Sequence, residues 1–217
     1  MVKESKYTLI RNILLKWYDD NKRDYPWRKS NDLYKILVTE ILLQKTIALN
    51  VSNMYTLFFK KYKDFSSINN ANISDLQPTI KVLGLSNKRA QILKALSQII
   101  VTKYNGEIPR DTDKLKEVNG IANYVSNAFG CFGLNKRTLF FDVNIKRVIL
   151  RVFEPQGSKF NRDSMYSHLD KLLPKMEFKY IYWAILDFGA LICSKNKPKC
   201  ELCPISDNCF YFLKSQS

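Results

Sequence analysis

One histidine, seven glycines and seven prolines are all that this chain of 217 residues holds of those three types. The lone His168 excludes a site built on a histidine pair and disfavours a Ser-His-Asp arrangement. Acidic residues are also short, 20 Asp plus Glu against 35 Lys plus Arg, for a net charge of +15. That balance points to a polyanionic partner, nucleic acid first, with a bare solubility feature as the alternative. No stretch approaches the roughly 18 uninterrupted apolar residues of a membrane span. The opening MVKESKYTLIRNILLKWYDD spaces its apolar residues like a helix, not like a secretory leader. A soluble, cytoplasmic protein with no membrane partner is expected, and in that compartment clustered cysteines read as metal ligands before disulfides.

With few helix breakers, the i, i+3, i+4 spacing predicts an all-α fold, and a hydrophobic content of 46% suffices for one large domain or two small lobes. Helices are expected near 6–19, 32–45, 47–62, 113–117, 123–133, 143–153, 162–173 and 177–192. A further helix reads from an N-cap at Ser86, with Ala90, Leu93, Leu96, Ile100 and Tyr104 on one face and Gly106 past its end. The stretches PTIKVLGLS, NGEIPRDT and FEPQGSKFNRD read as loops, and only a few residues at each end read as disordered.

Within 33–63 Glu40 is the only acidic residue, on a helix that is apolar nearly all round. A carboxylate there either faces a pocket or is satisfied inside the core. The stretch VNGIANY at 118–124 joins two short helices through a glycine turn, a shape that is often structural but also suits a phosphate at the second helix's positive end. Asp142, directly before VNIKRVILRVF, reads as an N-cap whose carboxylate is fixed and held ionised by the helix end, with Val143, Val148 and Leu150 on the apolar face.

The tail CSKNKPKCELCPISDNC places Cys193, Cys200, Cys203 and Cys209 within 17 residues, stiffened by Pro198 and Pro204. The spacing accommodates either zinc or a [4Fe–4S] cluster. Lys195, Lys197 and Lys199 lie between the first two cysteines and read as a phosphate-contacting finger or as a solvated face. Cys131, isolated in FGCFG, reads as a small core residue. The triplet Asp187-Phe188-Gly189 matches the kinase signature in letters only, since no glycine-rich loop or HRD accompanies it.

Four of these features occur together in one family: VTEILLQKT around Glu40, a hairpin followed by Tyr124, an aspartate before NIKRV, and the four-cysteine tail. From YPWRK at 25–29 to Cys209 the chain resembles the helix-hairpin-helix DNA glycosylases of the endonuclease III and MutY superfamily. The resemblance implies two helical lobes with DNA in the cleft between them. One is a six-helix bundle over 28–139 with its hairpin near 113–133, and the other, built from 1–27 and 140–217, surrounds a [4Fe–4S] cluster on the four cysteines, with zinc the lesser choice. It also implies a monomer associated with the nucleoid and double-stranded DNA with a mismatched base as partner.

Bifunctional members carry a Schiff-base lysine where Tyr124 stands here, and a phenol cannot take that role. Tyr124, GLSNKRA at 84–90 and KPKCELC at 197–203 are most similar to the thymine/uracil mismatch glycosylases first known from archaea. The implied activity is hydrolysis of thymine or uracil opposite guanine, with Asp142, Tyr124 and Glu40 in the reaction. Gln44 and Lys45 stand where relatives insert a wedge, and Gly120 and Ala122 lie in the phosphate-binding hairpin. The usual hairpin reads Gly-Val-Gly, so Ala122 is a departure that must supply its N–H without glycine's freedom. Two alternatives stay open: an adenine glycosylase acting opposite guanine or oxidised guanine, against which stands the absence of the MutY C-terminal domain after Cys209, and a non-catalytic redox-sensing DNA-binding regulator.

Overall fold

The computed structural model describes residues 5–155 and 161–215. The expectation of terminal disorder and positions 156–160 of the expected loop lie outside them. Among the described residues there is no strand, and the fold is all-α. In chain order the α-helices are α1 (Lys6–Asn21), α2 (Leu33–Leu42), α3 (Ala48–Lys61), α4 (Phe65–Asn70), α5 (Ile73–Thr79), α6 (Ser86–Lys103), α7 (Asn123–Phe132), α8 (Val143–Phe153), α9 (Arg162–Leu172), α10 (Phe178–Leu191) and α11 (Phe210–Ser215). The segment Thr112–Glu117 is a 3₁₀ turn. None of these helices is long and apolar enough to cross a membrane. The chain divides into two compact units, Asp24–Thr138 and the pair Met1–Arg23 with Leu139–Ser217.

In the unit Asp24–Thr138, α2 is the buried centre. Leu37, Val38, Ile41 and Leu42 lose all contact with solvent as α3, α6 and α7 pack around it. Tyr34 meets the rings of Phe59 and Phe65 edge to face and donates its hydroxyl to the Tyr62 carbonyl at 2.7 Å, so the aromatic body is buried with its polar end satisfied. The helix expected over 32–45 stops at Leu42, because Lys45 adopts a left-handed backbone (φ 51°) that a helix cannot continue through.

Ser86 is not the N-cap of α6. Leu85 occupies that place with φ 50°, and its carbonyl already accepts from the Arg89 N–H, which puts Ser86 inside the first turn. Helices α4, α5 and α11 had no counterpart in the sequence reading, being too short to show a period. The signal for α4 was a capping box: Asp64 accepts from the Ser67 N–H while Ser67 accepts from the Asp64 N–H.

In the other unit α1 packs on α9 and α10, and α8 packs on α9, α10 and α11. The buried stripe of α8 is Ile145, Val148, Ile149 and Val152; Val143, expected on that face, is 76% exposed because it sits in the turn that starts the helix. Asp187, from the discarded kinase-like triplet, is a structural anchor: wholly buried, it accepts from the Arg23 Nε at 2.7 Å and the Arg23 main-chain N–H at 2.9 Å. His168 is likewise tied, to the Tyr7 hydroxyl at 2.8 Å and Glu154 Oε1 at 3.0 Å.

Candidate functional site

In the unit Asp24–Thr138, Glu40 is 3% exposed on α2, so the structure places it among apolar neighbours as the sequence implied. About one turn further along, just past the end of α2 at Leu42, lie Gln44 and Lys45. Gln44 is half-buried and aims its Nε2 at the Gly120 carbonyl, 3.5 Å away, while Lys45 is exposed. Gln44 and the hairpin are thus brought together. Gly120 has φ 100°, and a Cβ there would lie 2.5 Å from Ile92 Cδ1, so both backbone and space demand glycine. We expect Gly120→Ala to cost on the order of 2–4 kcal/mol from backbone strain plus overpacking. Thermal unfolding checks this, and an unshifted midpoint would contradict it.

Ala122 resolves the departure noted above. It is the exposed N-cap of α7 with φ −83° and ψ 175°, ordinary extended backbone that any residue adopts, so glycine's freedom is not needed. No side chain caps α7, whose first turn carries the half-buried Tyr124 packed against the core of its unit.

Asp142 belongs to the other unit and caps α8 as expected. Its Oδ1 accepts from the main-chain N–H of Asn144 at 2.8 Å and of Ile145 at 2.6 Å, and its Oδ2 accepts from Asn144 Nδ2 at 2.8 Å. The balance of effects on its acidity differs from the sequence reading. Burial pushes the carboxyl above its ordinary range, and the hydrogen bonds and the nearby Arg147 charge only partly offset this.

Asn144 and Arg147, not singled out from the sequence, extend this constellation. Arg147 Nη2 donates to Asn144 Oδ1 at 2.8 Å and to the Gly189 carbonyl at 2.7 Å, and its Nε donates to the Cys193 carbonyl at 2.8 Å. A Cβ on Gly189 would meet Asn144 Cβ at 3.0 Å, so glycine there lets α10 approach α8 closely enough for these bonds. A signal for them was the i, i+3 spacing of Asn144 and Arg147 on one helix face.

The four cysteines line one pocket together with Arg151, Pro198, Ile205 and Tyr211. Arg151, one turn beyond Arg147, donates to the carbonyls of Ser194 at 2.7 Å and Lys195 at 2.9 Å and lies 3.4 Å from Cys193 Sγ. Burial first, then the mutual repulsion of neighbouring thiolates, pushes the thiols of Cys200, Cys203 and Cys209 up, Cys203 to about 11. Thiols raised in this way ionise readily only if a cationic centre takes up their charge, and a loop of four cysteines is a donor set that fits a metal-containing group. Among the described residues no three His, Cys, Asp or Glu side chains converge on a single ion position. Lys195, Lys197 and Lys199 are exposed along the same loop. Cys131 stays apart, fully buried in α7.

Two more residues escaped the sequence reading. Leu85 is 56% exposed on a left-handed backbone, and the buried Arg89 donates from its two terminal nitrogens to the carbonyls of Gly84 (2.6 Å) and Gln44. The Gly84-Leu85 pair was visible in GLSNKRA; the pairing of that turn with Gln44 was not.

Residues 38–175 match the model of the HhH-GPD superfamily base excision DNA repair proteins. A thymine/uracil-DNA glycosylase of Methanothermobacter thermautotrophicus is 35% identical over 97% of this chain and 96% of its own length. The solved structure of a thermostable thymine-DNA glycosylase superposes with a TM-score of 0.88 at 34% identity, covering 96% of this chain and 97% of that one. An adenine DNA glycosylase of Buchnera aphidicola subsp. Baizongia pistaciae is more distant, at 27% identity over 94% of this chain and 58% of its own. With the family model matching well over half of the chain, the protein belongs to the HhH-GPD superfamily of base excision DNA repair proteins.

Proposed function

We propose that the protein is a monofunctional DNA glycosylase that hydrolyses the N-glycosidic bond of thymine or uracil mispaired with guanine in duplex DNA. The likeness to a thymine/uracil-DNA glycosylase over nearly the whole of both chains supports the choice of base. One observation carries the chemistry: the Asp142 carboxylate, fixed by three hydrogen bonds at the start of α8. Breaking the bond leaves positive charge on the sugar and negative charge on the departing base. A preoriented carboxylate stabilises the former and orients or activates the attacking water.

The target nucleotide has to leave the stack before it can react. Gln44, Lys45 and the exposed Leu85 fill the gap it leaves, the apolar one as a wedge between bases. Gly120, Ala122 and the first turn of α7 take a phosphate, and Lys195, Lys197 and Lys199 grip the phosphate backbone. Thymine has no ring nitrogen for an acid to protonate as adenine does. Glu40 instead accepts from the pyrimidine N3–H, and Tyr124 stacks on or hydrogen-bonds to the base or sugar.

Cys193, Cys200, Cys203 and Cys209 hold a [4Fe–4S] cluster. Zinc, the lesser choice, would take the same four sulfurs. When bound, the cluster cross-links the loop that presents the three lysines. Arg147 and Arg151 hold the same loop through its carbonyls, which ties it to α8 and the Asp142 cap.

Comparing base release from G:T, G:U and A:G duplexes tests the choice of base. Release from G:T and G:U is expected, and preferential release of adenine establishes the adenine glycosylase reading instead. Base release at all separates both from the redox-regulator reading, which predicts oxidation-dependent affinity and none. Tyr124→Lys is expected to yield a borohydride-trapped covalent adduct with substrate DNA that the unsubstituted protein lacks; no trapped adduct counts against the role assigned to that position.

A further inference from the structure

We propose that Arg89 is a positioning residue that locks the Gln44–Lys45 turn and the Gly84–Leu85 turn into one gap-filling unit. The inference rests on the glycosylase reading above. Arg89 is 2% exposed, a depth at which arginine is rare unless paired, and burial lowers its pKa. Among the described residues its guanidinium donates to two main-chain carbonyls, Gly84 through Nη1 and Gln44 through Nη2. A buried charge spent on two carbonyls is costly unless their relative placement matters.

Both turns are conformationally expensive. Lys45 and Leu85 have φ of 51° and 50°, left-handed backbone at non-glycine residues, and Gly84 has φ 71°. Strained turns of this kind persist only when their surroundings hold them, and one planar fork holds both. The arrangement is completed by Gln44 Nε2 against the Gly120 carbonyl at 3.5 Å, and it leaves Val82 and Leu85 exposed at 62% and 56%. An apolar wedge and an amide wedge separated by 41 positions in the sequence, Leu85 minus Gln44, thus share a single buried brace. The brace keeps both aimed before DNA arrives, so the ordering cost of entering the duplex is already met.

Arg89→Lys keeps the charge, yet one ammonium on a flexible stem cannot reproduce the fork. In the free protein, hydrogen exchange at 43–47 and 84–86 is expected to accelerate together by on the order of tenfold while the interiors of α2 and α6 stay protected. Single-turnover base release from a G:T duplex should fall by on the order of tenfold. Leu85→Ala added to Arg89→Lys should then cost less than about twofold more, because the wedge is already misplaced.

If Arg89→Lys fails to fold, Gln44→Ala and Leu85→Ala supply the same cycle with Arg89 intact, and the double variant should lose clearly less than the product of the single losses. Exchange that rises in one turn or neither, or losses that multiply, overturns the proposal. The exchange measurement needs no DNA. Absence of base release by the unsubstituted protein would therefore sink the glycosylase reading while the brace is still decided by exchange.

Discussion

Asp142→Asn is expected to slow base release from a G:T duplex by at least about a hundredfold while leaving duplex affinity nearly unchanged. The argument is geometric. Oδ1 of Asp142 accepts the two main-chain N–H groups that open α8, and an asparagine carbonyl oxygen accepts them as well. What disappears is the negative charge facing the sugar, together with the Oδ2 acceptor of the Asn144 Nδ2 bond. The direction of the acidity shift adds two checks. Because burial raises the Asp142 carboxyl, the acid limb of the rate profile should lie above the ordinary aspartate value of about 3.9.

The same shift has a stability consequence. Between the unfolded and folded values the folded state binds more protons, so ionising Asp142 reduces stability as pH rises through that window. The asparagine variant escapes that pH dependence while giving up the Asn144 Nδ2 bond to Oδ2, so its stability should be flat across this window where that of the unsubstituted protein falls. Unimpaired excision by Asp142→Asn would remove the residue from the reaction.

Cys203→Ser is expected to abolish iron and acid-labile sulfide, and with them the broad visible absorbance of an iron–sulfur cluster. Cys131→Ser should leave all three unchanged, since Cys131 lies buried in α7 and outside the four-cysteine pocket. Thermal stability should fall by several degrees, because the cross-link of the tail is lost. The α8 to α10 packing should survive, with Arg147 still bonded to the Gly189 and Cys193 carbonyls. Full iron content in Cys203→Ser, or zinc in the purified protein in place of iron, would contradict the assignment.

The residues whose chemistry is local were legible in the sequence. Asp142 as a cap, Glu40 on a helix buried all round and the four-cysteine loop each show in a stretch of under twenty positions, and helices of three turns or more showed by their period. The helical class followed from those helices and from the scarcity of glycine and proline. What escaped depends on distant pairs or on short pieces. No local pattern shows that Arg89 reaches back 45 positions to the Gln44 carbonyl, or that Arg147 reaches forward 46 to that of Cys193.

Two local readings failed for a shared reason. Helix ends at Leu42 and Leu85 are set by left-handed residues, and Lys45 and Leu85 are types that give no warning of such a backbone. The upward shift of the Asp142 carboxyl was missed because capping is visible in sequence while burial is not.

The central claim is base removal without strand cleavage, and one measurement tests it most directly. A G:T duplex labelled on the thymine strand is incubated with the protein under single-turnover conditions, and the free base and the strand are analysed before and after hot alkali. The account predicts free thymine, an intact strand before alkali and a strand broken at the mismatch after it. Strand breakage without alkali, or no free thymine from either G:T or G:U, would contradict it.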